Sequence, residues 1–83
     1  MIDVLYFAWL RERIGAPKER IETNAATVAD LIDELRTRSE AHALAFADIT
    51  SVRAALDQDM VDDFSAPLAG VREVAFFPPM TGG

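Results

Sequence analysis

The last two residues of the chain, Gly82 and Gly83, are the groups best suited to chemistry of their own. Glycine has no Cβ, so a terminal diglycine makes a thin tail with an unshielded α-carboxylate. Glycine makes up about 7% of an average protein, so a terminal pair is rare by chance. We therefore predict that the reactive group is the Gly83 carboxyl group and not a side chain.

A stiff stem precedes the diglycine, and it reads Phe-Phe-Pro-Pro-Met-Thr over residues 76–81. Proline lacks an N–H, and the residue before it is pushed into an extended conformation. The last strand is therefore expected to stop pairing at Phe77, and the residues beyond it can reach about 20 Å. This predicts a folded domain over residues 1–77 and an extended tail over residues 78–83. The tail residues before Gly83 are Pro78, Pro79, Met80, Thr81 and Gly82.

A carboxylate resists nucleophiles until it carries a leaving group, for example as an acyl adenylate made from ATP with Mg²⁺. The four glycines of the chain form no glycine-rich phosphate loop. We therefore expect this chain to bind no cofactor, and a separate activating enzyme to use the ATP and Mg²⁺. The only histidine, His42, falls in a predicted helix and is expected to be a surface or boundary residue.

Composition excludes several classes of protein. The 83 residues make one small domain, and the absence of cysteine excludes disulfides and thiolate metal sites. A net charge of −6 with a single lysine argues against nucleic acids and anionic membranes as partners. No apolar run approaches the roughly 20 residues of a membrane span, and no secretory signal is visible. A cytoplasmic location is therefore expected.

The elements that must hold the tail form an α+β pattern. Strands are predicted over residues 2–9, 20–23, 51–56, 60–61 and 73–77. A helical turn is predicted over residues 10–14, and a longer helix begins after the N-cap Thr27. A shorter helix after Ser39 is expected to carry an apolar stripe of Ala41, Leu44 and Ala45. If the first and last strands are central and parallel, this order gives a ubiquitin-like β-grasp fold, with about five strands and one main helix.

Both faces of the first predicted strand are largely apolar, which is unusual for an antiparallel sheet with one solvated face. The second face is therefore either covered within the domain or offered to another protein. Phe7 and Phe77 fall on this face by alternation, and we predict that they bind a partner. Met60 and Leu5 are weaker additions to the same set, and Trp9 could equally cover the sheet edge.

Three segments together resemble the family of molybdopterin synthase small subunits, which are sulfur carriers of the ubiquitin-like superfamily. They are the opening residues 2–8 with Arg11-Glu12 after them, the Asp57-Gln58 turn, and the closing residues 73–83. The resemblance covers essentially the whole chain. It departs at Asp57, where asparagine is usual, and at Asp62-Asp63, which adds one residue.

The resemblance implies a cycle of reactions at Gly83. An E1-like adenylating enzyme would activate the carboxylate, and sulfur from a persulfide donor would replace AMP to leave a thiocarboxylate. The carrier would then dock on the large subunit of molybdopterin synthase and give sulfur to cyclic pyranopterin monophosphate, forming the molybdopterin dithiolene. The family complex is a heterotetramer. This chain would be its sulfur-donating subunit, with the catalytic acid–base groups on the large subunit.

Three other functions stay open from the residues alone. A sulfur carrier for thiamine synthesis or tRNA thiolation would use the same tail chemistry with another acceptor. A protein modifier would be joined through Gly83 to lysines of its targets. A binding module with an inert tail is the fourth possibility.

Overall fold

The first strand of the chain lies inside the sheet, between two other strands. The structure is a computed structural model, and it describes residues 1–79. The elements, in chain order, are β1 (Ile2–Tyr6), α1 (Trp9–Ile14), β2 (Lys18–Ile21), α2 (Val28–Arg36), α3 (Glu40–Ala45), a 3₁₀ turn (Ile49–Ser51), β3 (Arg53–Leu56), β4 (Asp59–Met60) and β5 (Glu73–Phe77).

The strands form one mixed sheet in the order β2-β1-β5-β3-β4. β1 and β5 are parallel neighbours, and the three other pairs are antiparallel. With helices packed on one face, this is the ubiquitin-like β-grasp arrangement that the element order predicts. The prediction of an α+β fold with a mixed five-stranded sheet is confirmed.

The main helix, α2, begins where its cap predicts. The Thr27 hydroxyl accepts a hydrogen bond from the Asp30 amide at 3.2 Å, which satisfies one of the free amides of the first turn. Four apolar side chains then recur at helical spacing and are buried against the sheet: Val28, Leu31, Ile32 and Leu35. This burial fixes the helix across the core face of the sheet.

An aromatic cluster fills the core between the sheet and the helices. Tyr6 of β1 and Phe76 of β5 stack with ring centroids 6.5 Å apart, and Phe46 meets Phe76 edge-on at 5.0 Å. All three rings are almost fully buried. Since β1 and β5 are neighbours in the sheet, this packing holds the two central strands to the layer beneath them.

Strand boundaries differ from the sequence prediction by one or two residues at β2, β3 and β4, and by three residues at the end of β1. β1 ends at Tyr6 and not at residue 9, because Ala8 adopts a positive φ of 54° and turns the chain into α1. Trp9 therefore belongs to a helix, where the centroid of its ring lies 5.2 Å from the Arg13 guanidinium carbon, and it packs against the core. The β3–β4 turn lies at Asp57 and Gln58 as predicted. Both have positive φ, as a type I′ hairpin turn requires.

The apolar stripe predicted for α3 is wrong in one position. Ala45 is buried, but Leu44 is 64% exposed, and the second buried residue of this helix is His42. The helix is rotated from the expected orientation because the His42 ring turns inward and forms hydrogen bonds with Glu19 and Ser39.

Candidate functional site

The stem of the tail leaves from the centre of the sheet. β5 is bonded on both sides as far as Phe77, which pairs with Arg53 of β3. On its other side, the Phe7 amide donates to the Phe76 carbonyl at 3.1 Å. The next residue, Pro78, has no N–H to donate, so the ladder ends there. The two central strands therefore hold the point from which the tail departs.

The face of the sheet away from the helices carries the predicted partner-binding residues. The pairing places Leu5, Ala75, Ala55 and Met60 in one row across four strands. Phe7 lies beyond this row at the end of the sheet from which the tail leaves, where Phe77 also lies. We call this the open face.

The open face contains an apolar groove of about 590 Å³, which we call the docking groove. It is lined by Phe7, Met60, Ala75, Phe77 and Pro78. Met60 is 68% exposed and Phe7 is 45% exposed, which is high for large apolar side chains. Phe77 and Pro78 are half-buried. An exposed apolar cluster of this kind is a candidate interaction site.

Of the four docking residues that the sequence predicts, three line this groove: Phe7, Phe77 and Met60. Leu5 lies on the same face, half-buried, but outside the groove lining. Ala75 and Pro78 also line the groove. Small side chains carry little signal of their own, but Ala75 could have been found from its alternation with Val74 and Phe76. The partner role of all these residues stays a prediction.

The end of the open face remote from the tail is charged. Asp3 forms ion pairs with Lys18 at 3.8 Å and with Arg20 at 3.1 Å. The hydrogen bond from Arg20 holds the pKa of the Asp3 carboxyl below its ordinary value. The apolar groove and this ion-pair cluster therefore divide the open face into two ends of different character.

The opposite face of the sheet holds a partly buried polar cluster that the sequence did not predict. His42 is only 6% exposed, which corrects its expected place at the surface or boundary. Its Nε2 lies 2.7 Å from a Glu19 carboxylate oxygen, and its Nδ1 lies 2.7 Å from the Ser39 hydroxyl. The Tyr6 hydroxyl donates to the same Glu19 oxygen at 2.8 Å.

The hydrogen bonds in this cluster shift the pKa values of Glu19 and Tyr6. Burial raises the pKa of the Glu19 carboxyl, but hydrogen bonds from His42 and Tyr6 outweigh it and leave the pKa below its ordinary value. Burial and the bond to Glu19 raise the pKa of Tyr6. The cluster joins β1, β2 and α3 on the face of the sheet opposite the docking groove, so we assign it a structural role.

Other kinds of site are not supported by the described residues. Within residues 1–79, no three acidic or histidine side chains converge to hold a metal ion. In the same range, no helix has the length and apolar character to cross a membrane. Pro78 and Pro79 are the tail residues that the structure describes. The proposed reactive residue Gly83, together with Met80, Thr81 and Gly82, lies outside the described residues.

Comparison with known proteins places the chain in a family. The model of the ThiS family matches residues 4–83. The chain is 41% identical to the molybdopterin synthase sulfur carrier subunit of Escherichia coli K12, over all of both chains. It is 36% identical to the subunit of the same name from Haemophilus influenzae, again over the full length of both.

Solved structures agree with these relatives. A crystal structure of SAMP1 from Haloferax volcanii superposes with a TM-score of 0.73 at 25% identity, covering 99% of this chain and 98% of that one. A putative molybdopterin converting factor, subunit 1, from Pyrococcus furiosus gives a TM-score of 0.71 at 28% identity. That match covers 95% of this chain and 97% of the other.

Proposed function

Because this chain belongs to the ThiS family, we propose that it is the sulfur carrier subunit of a molybdopterin synthase. The observation that carries the proposal is the full-length match to two subunits of that name, which extends through the diglycine. The geometry supports it, because the last strand is central and delivers its stem beside an exposed apolar groove.

In this proposal, Gly83 is the reacting residue. An E1-like adenylating enzyme joins its carboxylate to AMP from ATP, with loss of pyrophosphate. The outer sulfur of a persulfide donor then displaces AMP to form an acyl persulfide, and a thiol reduces its S–S bond, which releases the C-terminal thiocarboxylate and leaves a disulfide. The thiocarboxylate passes its sulfur to cyclic pyranopterin monophosphate in the active site of the large subunit, where the dithiolene forms.

The division of labour between subunits follows from charge and position. The proposed substrate is an anionic phosphate, whereas this chain has a net charge of −6 and one lysine. The cluster around His42 and Glu19 is occupied by internal hydrogen bonds. We therefore assign the acid–base groups and the phosphate site to the large subunit. A cytoplasmic heterotetramer, with two carriers on a large-subunit dimer, belongs to the same proposal.

Intact mass spectrometry of the chain purified from its native cells tests the proposal. We expect a fraction with one oxygen replaced by sulfur, located at Gly83 by fragmentation. Conjugates on lysines of other proteins would instead identify a protein modifier, and an unmodified terminus under all conditions would contradict both. Transfer to a thiamine precursor or to tRNA, with none to the pterin, would indicate another sulfur-carrier pathway.

Deletion of Gly83 provides the matched variant. We expect it to abolish thiocarboxylate formation and pterin sulfuration, because the preceding carboxyl group would lie one residue short of the adenylating site. The core residues of the described chain all precede Phe77, so the melting temperature should not change. A truncated chain that still supported full sulfur transfer would exclude Gly83 as the reactive residue.

A further inference from the structure

Arg53 is the one cation at the tail end of the open face within the sheet that the structure describes. It faces Phe77 directly across the β3–β5 ladder. Its side chain is exposed, and among residues 1–79 its guanidinium donates only to backbone carbonyls, those of Val52 at 3.2 Å and Thr50 at 3.4 Å. These neutral carbonyls do not compensate its positive charge.

The other two cations of this face of the sheet lie at its far end and share a single carboxylate. Lys18 and Arg20, at the far end, both pair with Asp3. Arg53 has no ion-pair partner among residues 1–79. Within that range, the open face therefore presents an apolar groove with one cation on its rim that lacks an ion-pair partner, next to the point where the tail leaves.

We propose that Arg53 determines partner specificity by pairing with a carboxylate on the large subunit, placed at the edge of the surface that covers the docking groove. A guanidinium presents two parallel N–H groups that match a carboxylate, so the pair fixes orientation as well as adding attraction. This inference rests on the proposed function, and it names the chemistry that the partner must carry.

Because Arg53 lies on the rim of the groove, the proposed ion pair would align the two bound surfaces. A charge on the rim of an apolar interface acts mainly on the rate of encounter and on the register of the bound surfaces. Here the register matters because the tail must enter the partner's active site, and Arg53 lies across from the last paired residue of the stem. The ion pair aligns the stem while the apolar groove supplies the buried area.

The test compares two charge reversals in the full-length chain. Arg53→Glu and Arg72→Glu change the net charge equally, but Arg72 precedes β5 at its other end, away from the tail. Association with the cognate large subunit is measured by surface plasmon resonance at low and high salt. We expect Arg53→Glu to slow association about tenfold at low salt and Arg72→Glu to slow it less than about twofold.

Salt dependence supplies an independent readout. Because salt screens exposed charges, the difference between wild type and Arg53→Glu should shrink at about 0.5 M NaCl. Arg53→Gln, which removes the charge without reversing it, should slow association by a smaller factor and flatten the salt dependence. Equal association rates for Arg53→Glu and Arg72→Glu would overturn the inference while leaving the proposed function intact. If the wild-type chain does not bind the large subunit, the inference and the proposed function are both overturned.

Discussion

At the scale of single residues, the docking groove includes one large apolar side chain that is mostly outside the core. Met60 lies on the two-residue edge strand β4 and is 68% exposed, so its thioether contributes little to the core. Large exposed apolar side chains at the centre of an interface commonly carry much of its binding energy. The binding role of Met60 can therefore be tested without disturbing the fold.

Met60→Asp is expected to weaken binding to the large subunit by about tenfold or more, because a carboxylate would be buried there without a partner. Isothermal titration calorimetry measures the change in Kd. Leu44→Asp is the matched control, since Leu44 is 64% exposed but lies on α3, away from the open face. Equal affinities for the two variants would exclude Met60 from the interface.

Phe77→Asp should weaken the same affinity, since Phe77 lines the groove beside the tail. Phe77 is half-buried and pairs within the sheet, so circular dichroism must first establish that the variant is folded. A folded Phe77→Asp variant with wild-type affinity would show that the large subunit does not bind to the open face.

At the scale of elements, α2 shows how local chemistry sets a boundary that the sequence reveals. The Thr27 hydroxyl caps the helix through the Asp30 amide. Thr27→Ala is expected to lower the free energy of unfolding by about 1 kcal/mol, because that amide loses its acceptor. Thr27→Ser keeps the hydroxyl and should retain most of the stability in urea denaturation. Equal losses in both variants would show that the methyl group, and not the cap, is responsible.

The same elements show where sequence reasoning ends. The cap at Thr27 and the stop at Pro78 are local features, so both could be predicted from neighbouring residues. The end of β1 could not, because it depends on a positive φ at Ala8, a residue type that does not favour one. Likewise, the burial of His42 depends on Glu19, which is 23 residues away in sequence. No periodicity within α3 could reveal that pairing.

The candidate site divides in the same way. The outward direction of Phe7 and Phe77 follows from strand alternation, which sequence shows directly. Their assembly with Met60 into one groove depends on the strand order, which brings three distant segments together. The pairing of Arg53 with Phe77 is a property of that order too, and the sequence alone does not indicate it.

At the scale of the whole molecule, the two faces of the sheet have separate tasks. The open face offers the docking groove, and the helical face is closed by the aromatic cluster and by the hydrogen bonds around Glu19. No buried side-chain nitrogen or oxygen atom of residues 1–79 lacks a partner. The main apolar core therefore lies on the helical face, while the open face keeps apolar side chains exposed.

Glu19 makes this stability depend on pH, and the sign follows from the direction of its pKa shift. The pKa of Glu19 in the folded state lies below its ordinary value of 4.5, because the native cluster stabilises the ionised carboxylate. The resulting stabilisation is fully present above the unfolded pKa and is lost as the pH falls through the lower, folded pKa. Stability should therefore decline in acid, beginning below about pH 5.

Glu19→Gln separates this contribution from the rest of the titration. At pH 7 the variant should be less stable than wild type by about 1 kcal/mol or more, because it loses charge-assisted hydrogen bonds to His42 and Tyr6. The difference in stability between wild type and variant should narrow as the pH falls, since the side chain of wild-type Glu19 is then protonated and neutral, like that of glutamine. Urea denaturation from pH 7 down to about pH 3 measures this difference. The exposed Glu22→Gln variant controls for the loss of a negative charge. A difference that stayed constant with pH would show that Glu19 acts through packing and not through its ionised form.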